Sequence, residues 1–124
     1  PDLRSRSGWR TVGKVNVPRR ARFVEFVARR RQPGSLKTLV RSDRRLREAK
    51  TVADAYAESW ALSYFLLRTR RKQYASYLKT VSAKPVLRWD TPETRQSDFE
   101  AAFGKDWDEL DRAFLKYMRR VRVR

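Results

Sequence analysis

The longest apolar run in the chain extends from Ala55 to Leu67 and contains a single charged residue, Glu58. Its apolar and aromatic side chains fall on nearly every face of a helix, so such a helix must be covered on several sides. Trp60 has apolar neighbours on all sides and is expected in the core. The run therefore predicts a buried central helix that spans about residues 51–68.

Two shorter helices are predicted before the central helix. Pro18 suits the first position of a helix, and one packed face is expected from the spacing of Val17, Ala21, Val24 and Ala28. The segment 32–34 ends this helix, and Ser35 is expected to cap a short helix that continues through residues 36–40. Residues 41–50 are interpreted as a charged connector.

Further helices are predicted after a basic turn at residues 68–72. The first of them presents one face formed by Tyr74, Tyr77, Leu78 and Val81, and a loop follows at 84–89. Thr91, followed by proline, is expected to cap the next helix, which Gly104 ends. Asp106 is expected to cap the last helix, whose apolar stripe is formed by Trp107, Leu110, Phe114, Met118 and Val121.

The whole pattern predicts an all-α fold of about five helices around the central one. Residues 1–17 are interpreted as an irregular connector that could include one short strand, and residues 18–124 as a single helical domain. The chain begins with proline and not with methionine. We therefore expect it to be the C-terminal fragment of a larger protein. No apolar segment reaches the length of a membrane span.

The formal net charge is +17 and is unevenly distributed. Residues 1–50 hold 16 basic and 4 acidic residues, residues 51–88 hold 7 and 2, and residues 89–124 hold 8 of each. The basic front part makes polyanion binding the first alternative function, with nucleic acid as one such partner. The candidate residues for it are Arg19, Arg20, Arg22, Arg29, Arg30, Arg31, Arg70, Arg71 and Lys72.

Two observations weigh against a specific nucleic-acid site. The aromatic residues are spaced for a core and not for base stacking, and the sequence contains no helix-turn-helix, RNP or KH signature. A basic surface that is merely solvated, or one that faces a missing acidic part of the same protein, is therefore favoured over nucleic-acid binding as the explanation of the charge.

The chain contains no histidine and no cysteine. This excludes disulfide bonds, thiol chemistry, Ser-His-Asp catalysis and histidine-ligated zinc within the chain. Glu58 is expected to be paired with an arginine or to lie at the edge of the surface, the alternative being a role in a site. Tyr56 could pack in the core with one hydrogen-bond partner, or donate a hydrogen bond to an oxyanion.

Four segments carry a family resemblance, and the V-N-V-P-R-R stretch at residues 15–20 fits the connector of the same family. The segments are A-Y-A-E-S-W-A-L-S-Y-F-L-L from Ala55, Y-x-x-Y-L from Tyr74, F-E-A-A-F-G from Phe99 and W-D-E-L-D-R-A-F-L-K-Y-M from Trp107. In this order they resemble the C-terminal part of an uncharacterised bacterial family, common in planctomycetes and related to gluzincin zinc peptidases. The resemblance covers about residues 8–121.

The resemblance implies a function for the parent protein. Family members carry an H-E-x-x-H helix and a downstream glutamate for zinc, and this chain has neither. It would then be a non-catalytic helical subdomain that follows the metal site, with zinc and the catalytic partner in the missing N-terminal part. A secreted or periplasmic location would follow if the parent carries a signal peptide.

The helix at Tyr56 is also similar to the Y-E-K-G helix of gluzincin aminopeptidases, in which the tyrosine stabilises the tetrahedral intermediate. Tyr56 matches that tyrosine, whereas Glu58 and Ser59 do not match the lysine and glycine. The resemblance thus implies an oxyanion role for Tyr56, but only in a full-length parent.

Overall fold

The computed structural model describes residues 15–84 and 90–122, and within these ranges all regular elements are helices. The seven helices are α1 (Val17–Arg29), α2 (Ser35–Arg41), α3 (Arg44–Arg47), α4 (Val52–Thr69), α5 (Arg71–Ser82), α6 (Pro92–Phe103) and α7 (Trp107–Arg119). The all-α prediction is confirmed. One unpredicted helix, the single turn α3, forms within the supposed connector at 41–50. Residues 1–14 and 85–89, with most of the predicted N-terminal connector and of the loop at 84–89, lie outside the described residues.

The later helix boundaries follow the predicted local signals. The Thr91 hydroxyl accepts a hydrogen bond from the Thr94 amide at 3.1 Å at the start of α6. The Asp106 carboxylate accepts one from the Glu109 amide at 3.0 Å at the start of α7. Gly104 ends α6 with φ of 95°, a backbone region that favours glycine. These three predictions are confirmed.

The predicted cap of α2 is wrong by one residue. The capping position is Gly34, which adopts a left-handed conformation with φ of 77°. Ser35 is the first residue of the helix and is buried. Its hydroxyl donates to Glu58 and does not cap the backbone. A distant buried carboxylate has therefore replaced the local partner that the sequence suggested.

The predicted packing face of α1 is also wrong. Val17 and Val24 are each 51% exposed, whereas Phe23 and Phe26 on another face are buried. Both faces satisfy helical spacing, but the phenyl rings bury more apolar area than valine and alanine do. The fold therefore turns the aromatic face inward and leaves the valine face in solvent.

The predicted central helix is confirmed, since α4 packs against α1, α3, α5 and α7. In the core, the ring of Phe114 lies 5.4 Å from that of Phe23 and 5.6 Å from that of Phe65. A second aromatic group on α5, α6 and α7 contains Tyr77, Phe99, Phe103 and Trp107. Trp60 is only partly buried and lies at the margin of this core. The α4 backbone is thus covered on most sides, and this positions its charged residues.

Candidate functional site

The first half of α4 presents acidic residues inward and a tyrosine outward. Asp54 and Glu58 are four residues apart and therefore share one side of the helix. Asp54 is 5% exposed and Glu58 is fully buried, whereas Tyr56 between them is 47% exposed. Buried carboxylates need partners, and the surrounding helices supply them.

Glu58 is the centre of a buried cluster of charged side chains. Its carboxylate accepts a hydrogen bond from Arg31 Nε at 2.7 Å and one from Arg45 Nη1 at 2.8 Å. The Ser35 hydroxyl lies 2.7 and 2.9 Å from the two carboxylate oxygens. The expected pairing of Glu58 with arginine is confirmed, with two arginines and complete burial.

Arg31 connects this cluster to the last helix. Its Nη1 donates to Asp111 of α7 at 3.1 Å, while its Nε is held by Glu58. Burial lowers the pKa of the Arg31 guanidinium, but the bonds to Asp111 and Glu58 outweigh burial and raise it above its ordinary value. Arg31 is therefore a permanent cation that joins the end of α1 to α4 and α7.

Asp54 forms a second, adjoining set of ion pairs. Its carboxylate accepts hydrogen bonds from Arg30 Nε and Arg22 Nε, both at 2.8 Å, and a further one from Arg30 Nη2 at 3.0 Å. The hydrogen bonds from Arg30, and then those from Arg22, hold the pKa of Asp54 below its ordinary value against the opposing effect of burial. Asp54 therefore stays ionised and fixes α1 to the start of α4.

Tyr56 lies outside both sets of ion pairs. The guanidinium carbon of Arg19 lies 5.1 Å from the centre of its ring, within the range of a cation–π contact. The structure records no hydrogen bond from its hydroxyl to any described residue. Its flanking residues Ala55 and Ala57 are buried. Burial of the Tyr56 ring in the core, one of the two expectations, does not agree with this exposure.

The nine predicted polyanion-binding residues divide into groups. Three of them form the ion pairs described above: Arg22 and Arg30, whose side chains are 44% and 37% exposed, and Arg31, which is 7% exposed. Three others contact neighbouring groups: Arg19 lies over Tyr56, Arg20 Nε donates to the Val121 carbonyl, and Arg70 lies over Phe65. The last three are exposed: Arg29, Arg71 and Lys72. The predicted set therefore mixes residues that bind other groups of the fold with residues that face solvent.

Several residues of the Glu58 cluster and of the adjoining Asp54 set were not predicted as partners, namely Ser35, Arg45, Asp54 and Asp111. One feature of the sequence could have indicated that Asp54 and Glu58 have buried partners. Asp54 and Glu58 are the two acidic residues of the most apolar helix, at the i,i+4 spacing of a shared face. Buried acids in such a helix require cations from elsewhere in the chain. The spacing does not indicate which arginines provide these cations.

A comparison with protein families places most of these residues within the span of one family match. A family model described as a protein of unknown function, DUF1570, matches residues 1–88. This span includes Asp54, Tyr56 and Glu58, whereas Asp111 lies beyond it. No curated protein and no solved structure matches the chain.

Proposed function

We propose, from the premise that the chain belongs to the DUF1570 family of unknown function, that it is a helical C-terminal subdomain of a zinc-peptidase-like protein. It has no catalytic activity of its own. It packs against the part that carries the metal site and presents Tyr56 to that part. The motif resemblance from Ala55 to Met118 is the basis for the class of the parent.

The exposure of Tyr56 is the observation that carries this proposal. A phenol that only packs would be expected inside, as its neighbours Ala55 and Ala57 are. Asp54 and Glu58, two residues to either side, are held by ion pairs on the opposite side of the helix. The backbone beneath Tyr56 is thus anchored, and a fixed backbone suits oxyanion stabilisation because the donor that it carries needs less reorganisation.

Zinc itself does not fit the residues of this chain. Histidine and cysteine are absent from the sequence. In the two described ranges, no three acidic side chains lie close enough together to form a metal site. Within the proposal, zinc therefore belongs to the missing N-terminal part, and this chain contributes a positioned hydroxyl group.

The outer face of α1 supports packing against another part of the parent. It presents Val17, Val24 and Val27, which are 37–51% exposed, together with the exposed Ala21 and Ala28. The net charge of +17 disfavours a second copy of this chain as the partner. An apolar surface bordered by acidic residues, on the metal-binding part, is the complementary partner.

The alternative function is a free-standing basic module that binds nucleic acid or another polyanion. The exposed Arg29, Arg71 and Lys72 are available for it. Such binding should be weak and should decrease steeply with salt, because it would depend on phosphate neutralisation alone. Sequence-selective binding that persists at physiological salt would favour this alternative over the peptidase-like parent.

The test uses the full-length parent and a peptide that it cleaves. Tyr56→Phe should leave folding and zinc content unchanged and lower kcat by roughly 10²–10³-fold, as expected for one oxyanion donor. Tyr74→Phe, at a half-buried tyrosine of α5, is the matched control and should retain activity. The isolated chain should neither cleave the peptide nor bind zinc stoichiometrically.

Two results would count against the proposal. Full activity of Tyr56→Phe would remove the oxyanion role and leave only the packing role of the subdomain. A parent that lacks zinc and peptidase activity, or zinc-dependent cleavage by the isolated chain, would contradict the whole assignment.

A further inference from the structure

A pocket of about 320 Å³ lies beside the buried charge cluster, where the end of α1 meets α2, α3 and the start of α4. Phe26 and Pro33 form part of its apolar wall. Its polar lining includes Arg45, Lys50 and Thr51. This volume is at the lower end of the range of small-molecule sites. The pocket is distinct from Tyr56, which does not line it.

Arg45 offers a positioned hydrogen-bond donor in this pocket. Its Nη1 donates to Glu58 at 2.8 Å, and its guanidinium carbon lies 5.4 Å from the centre of the Phe26 ring. These contacts hold the side chain, which is 16% exposed. Its Nε and Nη2 have no acceptor among the described residues. That edge of a guanidinium can bind a carboxylate through two parallel hydrogen bonds.

The charged side chains around the pocket carry one positive charge in excess. The linked ion pairs beside the pocket balance, with four cations, Arg22, Arg30, Arg31 and Arg45, and four carboxylates, Glu25, Asp54, Glu58 and Asp111. Lys50 also lines the pocket but lies outside these pairs. Lys50 is exposed and has no ion pair within residues 15–84 and 90–122. Asp54 also lines the pocket but is bound by two arginines. A single anion would balance the excess cation.

We infer that this pocket binds a carboxylate on a small, partly apolar body, such as an N-acylated amino acid or the last residue of a peptide. Arg45 holds the carboxylate, Lys50 supplies the second positive charge, and the wall at Phe26 and Pro33 contacts the apolar part. A monoanion fits the charge better than phosphate does, since phosphate carries more than one negative charge at neutral pH. The inference does not depend on the proposed peptidase-like parent.

The test is a ¹⁵N NMR titration of the chain with N-acetylalanine. Saturable shifts are expected at the amides of Lys50 and Thr51 and at the Arg45 Nε–H. The neutral N-acetylalanine methylamide should cause no such shifts, and inorganic phosphate should bind more weakly. Lys50→Ala should weaken binding by about tenfold or more, the loss of one charge-assisted interaction.

Lys79→Ala is the matched control, because Lys79 is also exposed but lies on α5, away from the pocket. It should leave the titration unchanged. Arg45→Lys keeps the charge and removes the forked donor, so it should weaken binding if its circular dichroism spectrum stays native. Shifts spread over the whole basic surface, equal binding of the methylamide, tighter binding of phosphate, or full affinity of Lys50→Ala would each overturn the inference.

Discussion

Replacing Glu58 by glutamine should destabilise the protein by about 3–5 kcal/mol, the usual cost of breaking a buried ion pair on one side. Glu58 is fully buried and accepts hydrogen bonds from Ser35, Arg31 and Arg45. Glutamine preserves the shape but removes the charge, and its amide NH₂ would face the N–H groups of a guanidinium. Because Arg31 keeps Asp111 as a partner, Arg45 is left with most of the uncompensated charge.

The size of this effect is large for a domain whose total stability is about 5–15 kcal/mol. With a urea dependence of roughly 1–3 kcal/mol per molar, the midpoint of unfolding should fall by about 1 M or more. Tryptophan fluorescence and circular dichroism can both follow the transition. Arg45→Met should cost less than Glu58→Gln, because Glu58 then still has Arg31.

The matched control is Glu48→Gln. Glu48 lies 2.9 Å from Arg44 Nε in an i,i+4 pair, but both side chains are exposed, at 49% and 78%. Such pairs contribute about 0.5 kcal/mol or less. If Glu58→Gln and Glu48→Gln shifted the midpoint equally, the buried cluster would stabilise the fold no more than an exposed ion pair does.

Two further predictions concern the ion pairs of Asp54 and the aromatic core around Phe114. The pKa of Asp54 is lowered, so its ionised form stabilises the fold above the unfolded pKa and this contribution is lost as the pH falls. In urea titrations, the stability difference between the protein and Asp54→Asn should therefore narrow below about pH 4, whereas a difference that stays constant from pH 7 to 3 would contradict the ion pairing. Phe114→Ala should cost about 3–5 kcal/mol, since Phe114 is fully buried between two other rings. Thermal unfolding should show a clearly smaller loss for Phe103→Ala, because Phe103 is only partly buried, and equal losses would refute the assigned core.

The candidate site was only partly predictable. The sequence singled out Tyr56 by its resemblance to a known helix, and Glu58 because a lone charge in an apolar run needs a partner. It could not assign Arg31 and Arg45 to Glu58, because the chain has many arginines of equal local character. It also could not reveal the pocket, whose lining comes from four separate helical segments.

The α1 helix shows why patterns mislead even when their periodicity is correct. Val17 and Val24 share one apolar stripe, and Phe23 and Phe26 lie on another face. Local spacing permits either face to be buried. The choice depends on which side chains fit against Phe65 and Phe114, and that information lies in distant parts of the chain.

The helical class, the buried central helix and the caps at Thr91 and Asp106 could all be predicted from the sequence. These features depend on contacts between residues three or four positions apart, so the local order of residues is sufficient for them. The choice of the arginines that neutralise the buried acids, and of the side of α1 that faces solvent, depends on contacts between distant parts of the chain. The Ser35–Glu58 and Arg31–Asp111 bonds join residues that are 23 and 80 positions apart. Contacts over such separations form only when the complete fold brings the helices together. Once a charged group is buried in their common core, leaving it unpaired is costly, and the fold therefore brings a partner to it.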